Sequence, residues 1–203
     1  MFTPTVQDAQ KAHGSRETYA KMTERPAPEG LGEDEITFLT SRTSFYMATV
    51  SETGWPYVQH RGGTAGFLKV LDPQTIGFAD YRGNRQYVST GNLQSNARVS
   101  IFAMDYPRKA RLKLIGYATV NDAEDAPDLA QSLTTEGESK VERVMSIKVE
   151  AFDWNCPQYI IPRFDTAEIA ALVAPEIDRL ETENAQLTAE LAKLRDRLER
   201  ETK

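Results

Sequence analysis

The C-terminal part of the chain carries a heptad repeat, the feature that most constrains what this sequence can form. Its core positions are spaced alternately four and three residues apart from Val173 to Leu198. A helix packed on its own domain drifts at about 3.6 residues per turn, whereas this pattern keeps to about 3.5. The repeat therefore predicts a coiled-coil helix over residues 166–203. Positions a hold Ile177, Asn184, Leu191 and Leu198, and positions d hold Val173, Leu180, Leu187 and Leu194.

The heptad core also predicts how many helices associate. Leucine at d with a single asparagine at a favours two parallel strands, because the two asparagines pair across the seam and fix the register. Glu190 at g faces Arg195 at e of the partner, whereas Glu176 and Glu181 repel each other and loosen the N-terminal end. We therefore expect a homodimer. A single amphipathic helix that packs against its own domain is the alternative.

Composition and charge argue against several classes of protein, including nucleic-acid-binding, membrane-spanning and zinc-binding proteins. The 203 residues carry a formal net charge of −6, which argues against nucleic acid as the main partner. No run of about eighteen apolar residues is present, and the N-terminal stretch lacks the apolar core of a signal peptide. One cysteine, Cys156, and two histidines make an internal disulfide or a structural zinc site unexpected. These features predict a cytoplasmic protein with no metal site and no membrane partner.

The region before the heptads changes from polar to β-rich. Residues 1–31 are polar and proline-containing, which predicts an arm with one short helix near residues 6–12. The segment GEDEITFLTSR then has acidic residues in the first turn of a predicted helix. Period-two alternation follows, and it predicts a mainly β domain over residues 32–165, a small barrel of about six antiparallel strands with peripheral helices. The strand segments are SFYMATV, WPYVQHRGG, the hairpin of GFLKVL and TIGFADY, VSIFAMD, RLKLIGYATV and RVMSIKVEAFDW.

Three basic or glycine-containing clusters stand at strand ends of this acidic chain. They are HRGG at residues 60–63, FADYRGNRQYVSTGN at 78–92 and RKARLK at 108–113. Arginine presents a planar fork of donors that matches phosphate oxygens, and glycine lets backbone N–H groups approach a ligand. If a short helix begins within the second cluster, its first N–H groups add to an anion site. The three clusters together predict a phosphate cradle.

The sequence resembles the pyridoxamine-5′-phosphate-oxidase-like flavoproteins, the FMN-binding split β-barrels, over roughly residues 32–163. The resemblance is carried by SFYMATVSETGWPYVQHRGG, GFADYRGNR, NARVSIFAMD, RLKLIGYATV and WNCPQYIIPR. It implies a split β-barrel that dimerises about a two-fold axis, with two FMN molecules in the grooves between subunits. A two-fold dimer also brings both C-termini to one end, as a parallel coiled coil requires.

The resemblance implies roles for individual positions at the phosphate. Arg61 corresponds to the arginine that opens the FMN-binding strand. Asn84 and Arg85 fall where the oxidases carry Arg-Lys, so both are assigned to the phosphate. The loop that follows is longer here, and Ser89 is added to this set because it lies within that loop region.

Other positions are assigned to the flavin ring. Gly62 and Gly63 are expected beside the flavin with exposed backbone, and Phe78 and Ala79 at its polar edge. Arg111 falls where the oxidases have a glutamine near the ring, and a cation there would stabilise the anionic reduced flavin.

The last assigned segment is expected to reach the flavin of the other subunit. Its members are Trp154, Gln158 and Arg163. Each has a simpler alternative, since Trp154 would also suit dimer packing and Arg163 a surface ion pair.

Departures from the family pattern affect the predicted activity. Gly66 stands where the oxidases have a substrate-binding lysine, and CPQYIIPR replaces their late Arg-x-His pair. The pocket for pyridoxal phosphate is not recognisable, so vitamin B6 oxidation is not expected. The prediction is an FMN-dependent oxidoreductase acting on an unidentified small molecule. The alternatives are a non-catalytic flavin storage or sensing module, an F420- or haem-binding member of the fold, and a structural dimer that docks through its coiled coil.

Overall fold

The computed structural model describes residues 2–23, 29–135, 140–154 and 157–202, so Cys156 lies outside the described residues. The chain divides into two compact units, Met1–Ile160 and Ile161–Lys203. The first unit holds all the strands. The second holds one long helix. No helix in the described ranges combines the length and apolarity that a membrane crossing requires.

The first unit is built on one antiparallel sheet of seven strands, in the order β2-β1-β5-β6-β7-β4-β3. The sheet does not close on itself, and the fold is a split β-barrel with peripheral helices, as expected. The described residues contain seven strands, one for each strand segment named from the sequence, against the approximate total of six. The strands are β1 Ser44–Val50, β2 Pro56–Gly62, β3 Lys69–Asp72, β4 Thr75–Tyr81, β5 Arg98–Asp105, β6 Ala110–Asp122 and β7 Val141–Trp154.

The core forms where the period-two patterns of these strands meet. In β1, Phe45, Met47 and Thr49 are buried while the residues between them are not. Phe45 stacks on Phe67 at a centroid distance of 5.7 Å and meets Phe78 edge-on at 5.3 Å. A smaller cluster lies under the helix of residues 127–133. Apolar and polar residues alternate along these strands because every second side chain faces this core.

The described residues of the first unit also include five helices, and the N-terminal region differs from expectation. It contains α1 Pro4–Ala12 and also α2 Arg16–Thr23, where a single short helix was predicted. A buried Gln10 accepts a hydrogen bond from Arg16 at 3.1 Å, which ties the two helices together. The other helices are α3 Glu33–Thr40, α4 Val88–Ser95 and α5 Pro127–Leu133.

Three polar contacts join helix α3, or the residues that follow it, to the sheet. Arg42, just past its C-terminus, pairs with the buried Asp105 at 2.7 Å and donates to the Met104 carbonyl at 3.0 Å. Trp154 Nε1, at the end of β7, donates to Glu35 at 2.6 Å. Because these contacts join residues far apart in the sequence, they fix where the helix lies against strands β5 and β7.

The second unit is a single helix, α6 Thr166–Glu201. Asp165 and Glu168 form a reciprocal capping box at its start, with both hydrogen bonds at 2.8 Å. The helix continues through Pro175. Its apolar a and d side chains are between 43% and 61% exposed, so they form an exposed apolar stripe that Asn184 interrupts.

Candidate functional site

A polar cavity of about 220 Å³ opens between β2, the end of β4, the start of β7 and the N-terminus of α4. We call it the arginine cavity. It is lined by Tyr57, Gln59, Arg61, Asp80, Tyr81, Gly83, Asn84, Arg85, Gln86, Tyr87, Val88, Ser89, Thr90 and Arg143.

Strand β2 supplies one wall because alternate residues point the same way. Tyr57, Gln59 and Arg61 line the cavity, whereas the residues between them are exposed on the opposite face. The Gln59 side chain accepts a hydrogen bond from the buried Ser89 hydroxyl at 2.7 Å. This bond joins β2 to helix α4 across the cavity.

Asp80 holds two arginines at the floor of the cavity. Its Oδ1 lies 2.5 Å from Arg61 Nη1. Its Oδ2 lies 2.9 Å from Arg143 Nη2 and 3.0 Å from Arg143 Nε. The Asp80 side chain is only 9% exposed, and those of Arg61 and Arg143 are each 13% exposed. One carboxylate therefore serves two guanidinium groups that water reaches poorly.

A β-bulge follows Asp80 directly in the β4–β7 pairing. Asp80 of β4 pairs directly with Arg143 of β7, while the next residue, Tyr81, pairs with Val141. Glu142 is thus an extra residue on β7. Its carboxylate contacts Arg143 Nη2 at 3.2 Å and, more distantly, the exposed Arg82 at 3.8 Å.

The rim of the cavity is a tight loop between β4 and α4. Asn84 accepts a hydrogen bond from the Gln86 backbone at 3.1 Å, and Arg85 Nε donates to the Tyr87 hydroxyl at 3.1 Å. Arg85 and Tyr87 both have positive φ, 60° and 54°, which non-glycine residues seldom adopt. The Tyr87 ring also lies 4.7 Å from the Arg143 guanidinium carbon.

The two arginines beside Tyr87, Arg85 and Arg143, both have a raised pKa. The hydrogen bond to Tyr87 raises the pKa of Arg85. Burial lowers the pKa of Arg143, but its hydrogen bond and charge interaction with Asp80 outweigh burial and leave that pKa raised. Both groups are therefore cationic throughout the physiological pH range.

Helix α4 adds its N-terminus to the cavity. Val88, Ser89 and Thr90 are its first three residues, and all three line the space. Tyr87 at the N-cap provides no side-chain hydrogen bond to this end of the helix. The first N–H groups of a helix have no partner within it and carry partial positive charge, so they favour an anion.

Taken together, the groups in and around the cavity have an excess of positive charge. Four guanidinium groups, those of Arg61, Arg82, Arg85 and Arg143, meet two carboxylates, Asp80 and Glu142. Arg61 Nε is also buried without a hydrogen-bond partner among the described residues.

The structure brings the residues predicted to bind phosphate into one place. Arg61, Asn84, Arg85 and Ser89 all line the arginine cavity. They come from β2, the rim loop and α4, and the Ser89–Gln59 hydrogen bond that joins α4 to β2 connects residues 30 positions apart.

The residues predicted near the flavin ring lie elsewhere. The side chains of Phe78 and Ala79 are buried in the two hydrophobic clusters. A Cβ on Gly63 would lie 2.8 Å from Phe67, and one on Gly62 would lie 2.9 Å from the His60 ring. Packing within the chain is thus a sufficient reason for glycine at both positions.

The more distant predicted residues do not line the arginine cavity. The guanidinium of Arg111, on β6, lies 6.0 Å from the Phe102 ring, and its buried Nε has no partner among the described residues. Trp154 packs edge-on against Phe38 of α3 at 4.8 Å. Gln158 is exposed, and Arg163 belongs to the second unit.

Sequence reasoning missed Arg143 and the role of Asp80. The sequence shows Arg143 only as one charged residue at the start of a strand, in VERVMS. Its importance depends on the pairing of β7 with β4, which brings together residues 63 positions apart. A weak signal was available, since Asp80 is a charged residue in the otherwise apolar strand TIGFADY.

Comparison with known proteins gives a family and a fold. Residues 33–154 match the family model described as pyridoxamine 5′-phosphate oxidase. No curated protein sequence matches significantly.

Solved structures with a similar chain path include three that span much of the first unit. HupZ of Group A Streptococcus is 19% identical and covers 66% of this chain and 100% of its own, with a TM-score of 0.48. A candidate pyridoxamine 5′-phosphate oxidase of Lactobacillus delbrueckii is 21% identical and covers 62% and 95%, with a TM-score of 0.48. An F420 reductase is 20% identical and covers 63% and 98%, with a TM-score of 0.41.

Proposed function

Because the chain belongs to the pyridoxamine 5′-phosphate oxidase family, whose members typically bind flavin-type cofactors, we propose that it binds FMN through the arginine cavity. The observation that carries the proposal is the lining of the cavity, where the side chains of Arg61 and Arg85 lie beside the first three residues of α4. A phosphate group would accept hydrogen bonds from these donors, and the phosphate dianion would balance the excess positive charge.

The donor set suits a phosphate group. Arg61 provides a buried guanidinium, Arg85 a second one at the rim, and the first N–H groups of α4 point to the same space. The Asn84 amide and the Ser89 hydroxyl oxygen complete the proposed cradle. Ligand pockets usually exceed about 300 Å³, so the cavity of about 220 Å³ suits the phosphate end of FMN rather than the whole molecule.

We assign the flavin ring to the groove between two copies of the barrel. The outer face of the sheet there carries exposed apolar side chains, including Tyr46, Val58 and Tyr117, and members of the family are commonly dimeric. On this proposal Arg111 donates to the ring through its buried Nε, and the backbone of Phe78 and Ala79 lies at the ring's polar edge. Gly62 and Gly63 lie beside the ring, and Trp154, Gln158 and Arg163 face the partner's flavin.

The proposed activity is that of an FMN-dependent oxidoreductase on a small molecule. Bound FMN supplies the chemistry by accepting and returning electrons, while the chain binds and orients it and stabilises developing negative charge. A non-catalytic flavin storage or sensing role is the second candidate. It is favoured by the lining itself, which contains no histidine, cysteine or glutamate, and whose Asp80 is engaged by two arginines. We assign the protein to the cytoplasm.

Titration with flavins tests the proposal. The wild-type protein is expected to bind FMN and to quench its fluorescence, whereas Arg61→Ala should bind FMN about 100-fold more weakly because a charge-assisted, buried contact is lost. Riboflavin, which lacks the phosphate, serves as the matched ligand, and its affinity should change less than about twofold between the two proteins. Failure of the wild-type protein to bind FMN would reject the proposal and leave F420 and haem as the cofactors to titrate next.

We further propose three functional regions, an arm over residues 1–31, the FMN-binding barrel over 32–165 and a parallel two-stranded coiled coil over 166–203. The apolar stripe of α6 supports the last of these, because a helix with its apolar side in water is only marginally stable. Glu176, expected to repel Glu181 of the partner, instead pairs with Arg179 of its own helix at 2.7 Å. That pairing reduces the repulsion at the N-terminal end.

Cross-linking tests the parallel register. In Asn184→Cys the two thiols would face each other across the seam at position a, so mild oxidation should link most chains into dimers. Ala189→Cys places the thiol at position f on the outer side and is the matched control. The wild-type chain, with Cys156 only, controls for linkage elsewhere. Equal cross-linking of the two variants, or none in Asn184→Cys, would contradict a parallel, in-register coiled coil.

A further inference from the structure

Arg143 lines the arginine cavity, but the phosphate assignment above gives it no role. It lies opposite Asp80 in the β4–β7 pair, and its side chain is 13% exposed. Its guanidinium is fixed on one side by Asp80 and flanked by the Tyr87 ring at 4.7 Å. A guanidinium held from two directions keeps one orientation toward the cavity that it lines.

We propose that Arg143 is a second buried guanidinium ligand of the phosphate, and that Asp80 is the counter-ion that holds Arg61 and Arg143 side by side when no anion is bound. This inference rests on the proposed binding of a phosphate group in the arginine cavity. It adds a specificity: two fixed guanidinium groups at a helix N-terminus favour a terminal phosphate monoester, which carries about two negative charges, over a diester, which carries one.

The shared carboxylate is the physical basis of the proposal. Asp80 has one negative charge, and both of its oxygens are already used, Oδ1 by Arg61 and Oδ2 by Arg143. Buried cations are stable only when they are compensated, so the pair of arginines leaves charge for an incoming anion to balance. Glu142 contributes from the outer side at 3.2 Å and does not line the cavity.

A purely structural role for Arg143 makes a different prediction. If the residue only joined β7 to β4, its replacement would weaken the fold and would lower the affinity for every flavin by a similar factor. If it binds the phosphate, the loss falls on FMN and spares riboflavin. The ratio of the two affinities therefore separates a ligand from a structural ion pair.

The test compares Arg143→Gln and Arg143→Lys with Arg82→Gln, in full-length protein titrated with FMN and with riboflavin. Arg82 is the matched control because it also contacts Glu142 but is 64% exposed and lies outside the cavity lining. FMN affinity should fall about 10- to 100-fold in Arg143→Gln and about 10-fold in Arg143→Lys, which keeps the charge but loses the fork. Riboflavin affinity in both, and FMN affinity in Arg82→Gln, should change less than about twofold.

Inorganic phosphate provides a second measurement that does not depend on FMN. Phosphate should raise the thermal unfolding temperature of the wild-type protein and of Arg82→Gln, but much less that of either Arg143 variant, because only a ligand bound to the native state stabilises it. Equal losses for FMN and riboflavin, or an Arg143→Lys protein that phosphate protects as well as the wild type, would overturn the inference. Phosphate protection of the wild type without FMN binding would reject the FMN proposal and retain the anion site.

Discussion

Replacing Asp80 by alanine is expected to lower the free energy of unfolding by about 3–5 kcal/mol in phosphate-free buffer. The substitution leaves the guanidinium groups of Arg61 and Arg143, each only 13% exposed, without the carboxylate that both contact. Removing one partner of a buried ionic cluster is costly because the remaining charge stays poorly hydrated. Urea denaturation at neutral pH, followed by circular dichroism, measures the change.

Asp153→Ala is the matched control for this prediction. Asp153 pairs with Lys113 at 2.8 Å, but both side chains are about one third exposed. Ion pairs in contact with solvent contribute about 1 kcal/mol or less. If Asp80→Ala were no more destabilising than Asp153→Ala, Asp80 would not be the counter-ion of a buried cationic pair.

Replacing Gly116 by alanine is expected to destabilise the sheet by about 3 kcal/mol or more. Gly116 lies at the bulge where β6 and β7 shift register, with Glu150 as the extra residue. A Cβ there would lie 2.2 Å from the Lys148 carbonyl oxygen and 3.0 Å from its carbonyl carbon. Because these atoms belong to the backbone of β7, no change of side-chain rotamer relieves the contact.

Gly91→Ala is the same substitution at a position where the opposite sign is expected. Gly91 lies within helix α4, and a Cβ there would meet nothing within 4 Å. Alanine is favoured over glycine in a helix by about 1 kcal/mol, so this variant should be more stable than the wild type. The thermal unfolding temperatures of both variants, compared with that of the wild type, test these predictions. A Gly116→Ala protein as stable as the wild type would contradict the strand pairing at the bulge.

Much of the fold followed from local patterns. The alternation in SFYMATV and in VSIFAMD predicted β1 and β5, because every second side chain had to enter a common core. The family resemblance added that the barrel is split, which is confirmed. The extra helix α2 was missed, because residues 16–23 are mostly polar and two contacts with preceding residues, Arg16 with the buried Gln10 and Tyr19 with Phe2, cannot be read from a local pattern.

The candidate site was predicted in part. The four residues assigned to the phosphate, Arg61, Asn84, Arg85 and Ser89, line one cavity, and their binding role stays a prediction. The positions assigned to the flavin ring do not line it. Trp154 illustrates the reason, since the sequence could not show that Glu35 and Phe38 of α3 would contact its ring.

The sequence by itself determined the features that repeat over short distances: the period-two strands, the 3.5-residue heptad of α6 and the glycine and arginine content of the strand ends. The tertiary structure alone decided which charges meet. Asp80 and Arg143 are 63 residues apart and contact each other only because β7 pairs with β4 in a register that runs unbroken from Thr75 to Asp80. Strand register is set by the packing of the whole core, so no local pattern encodes that contact.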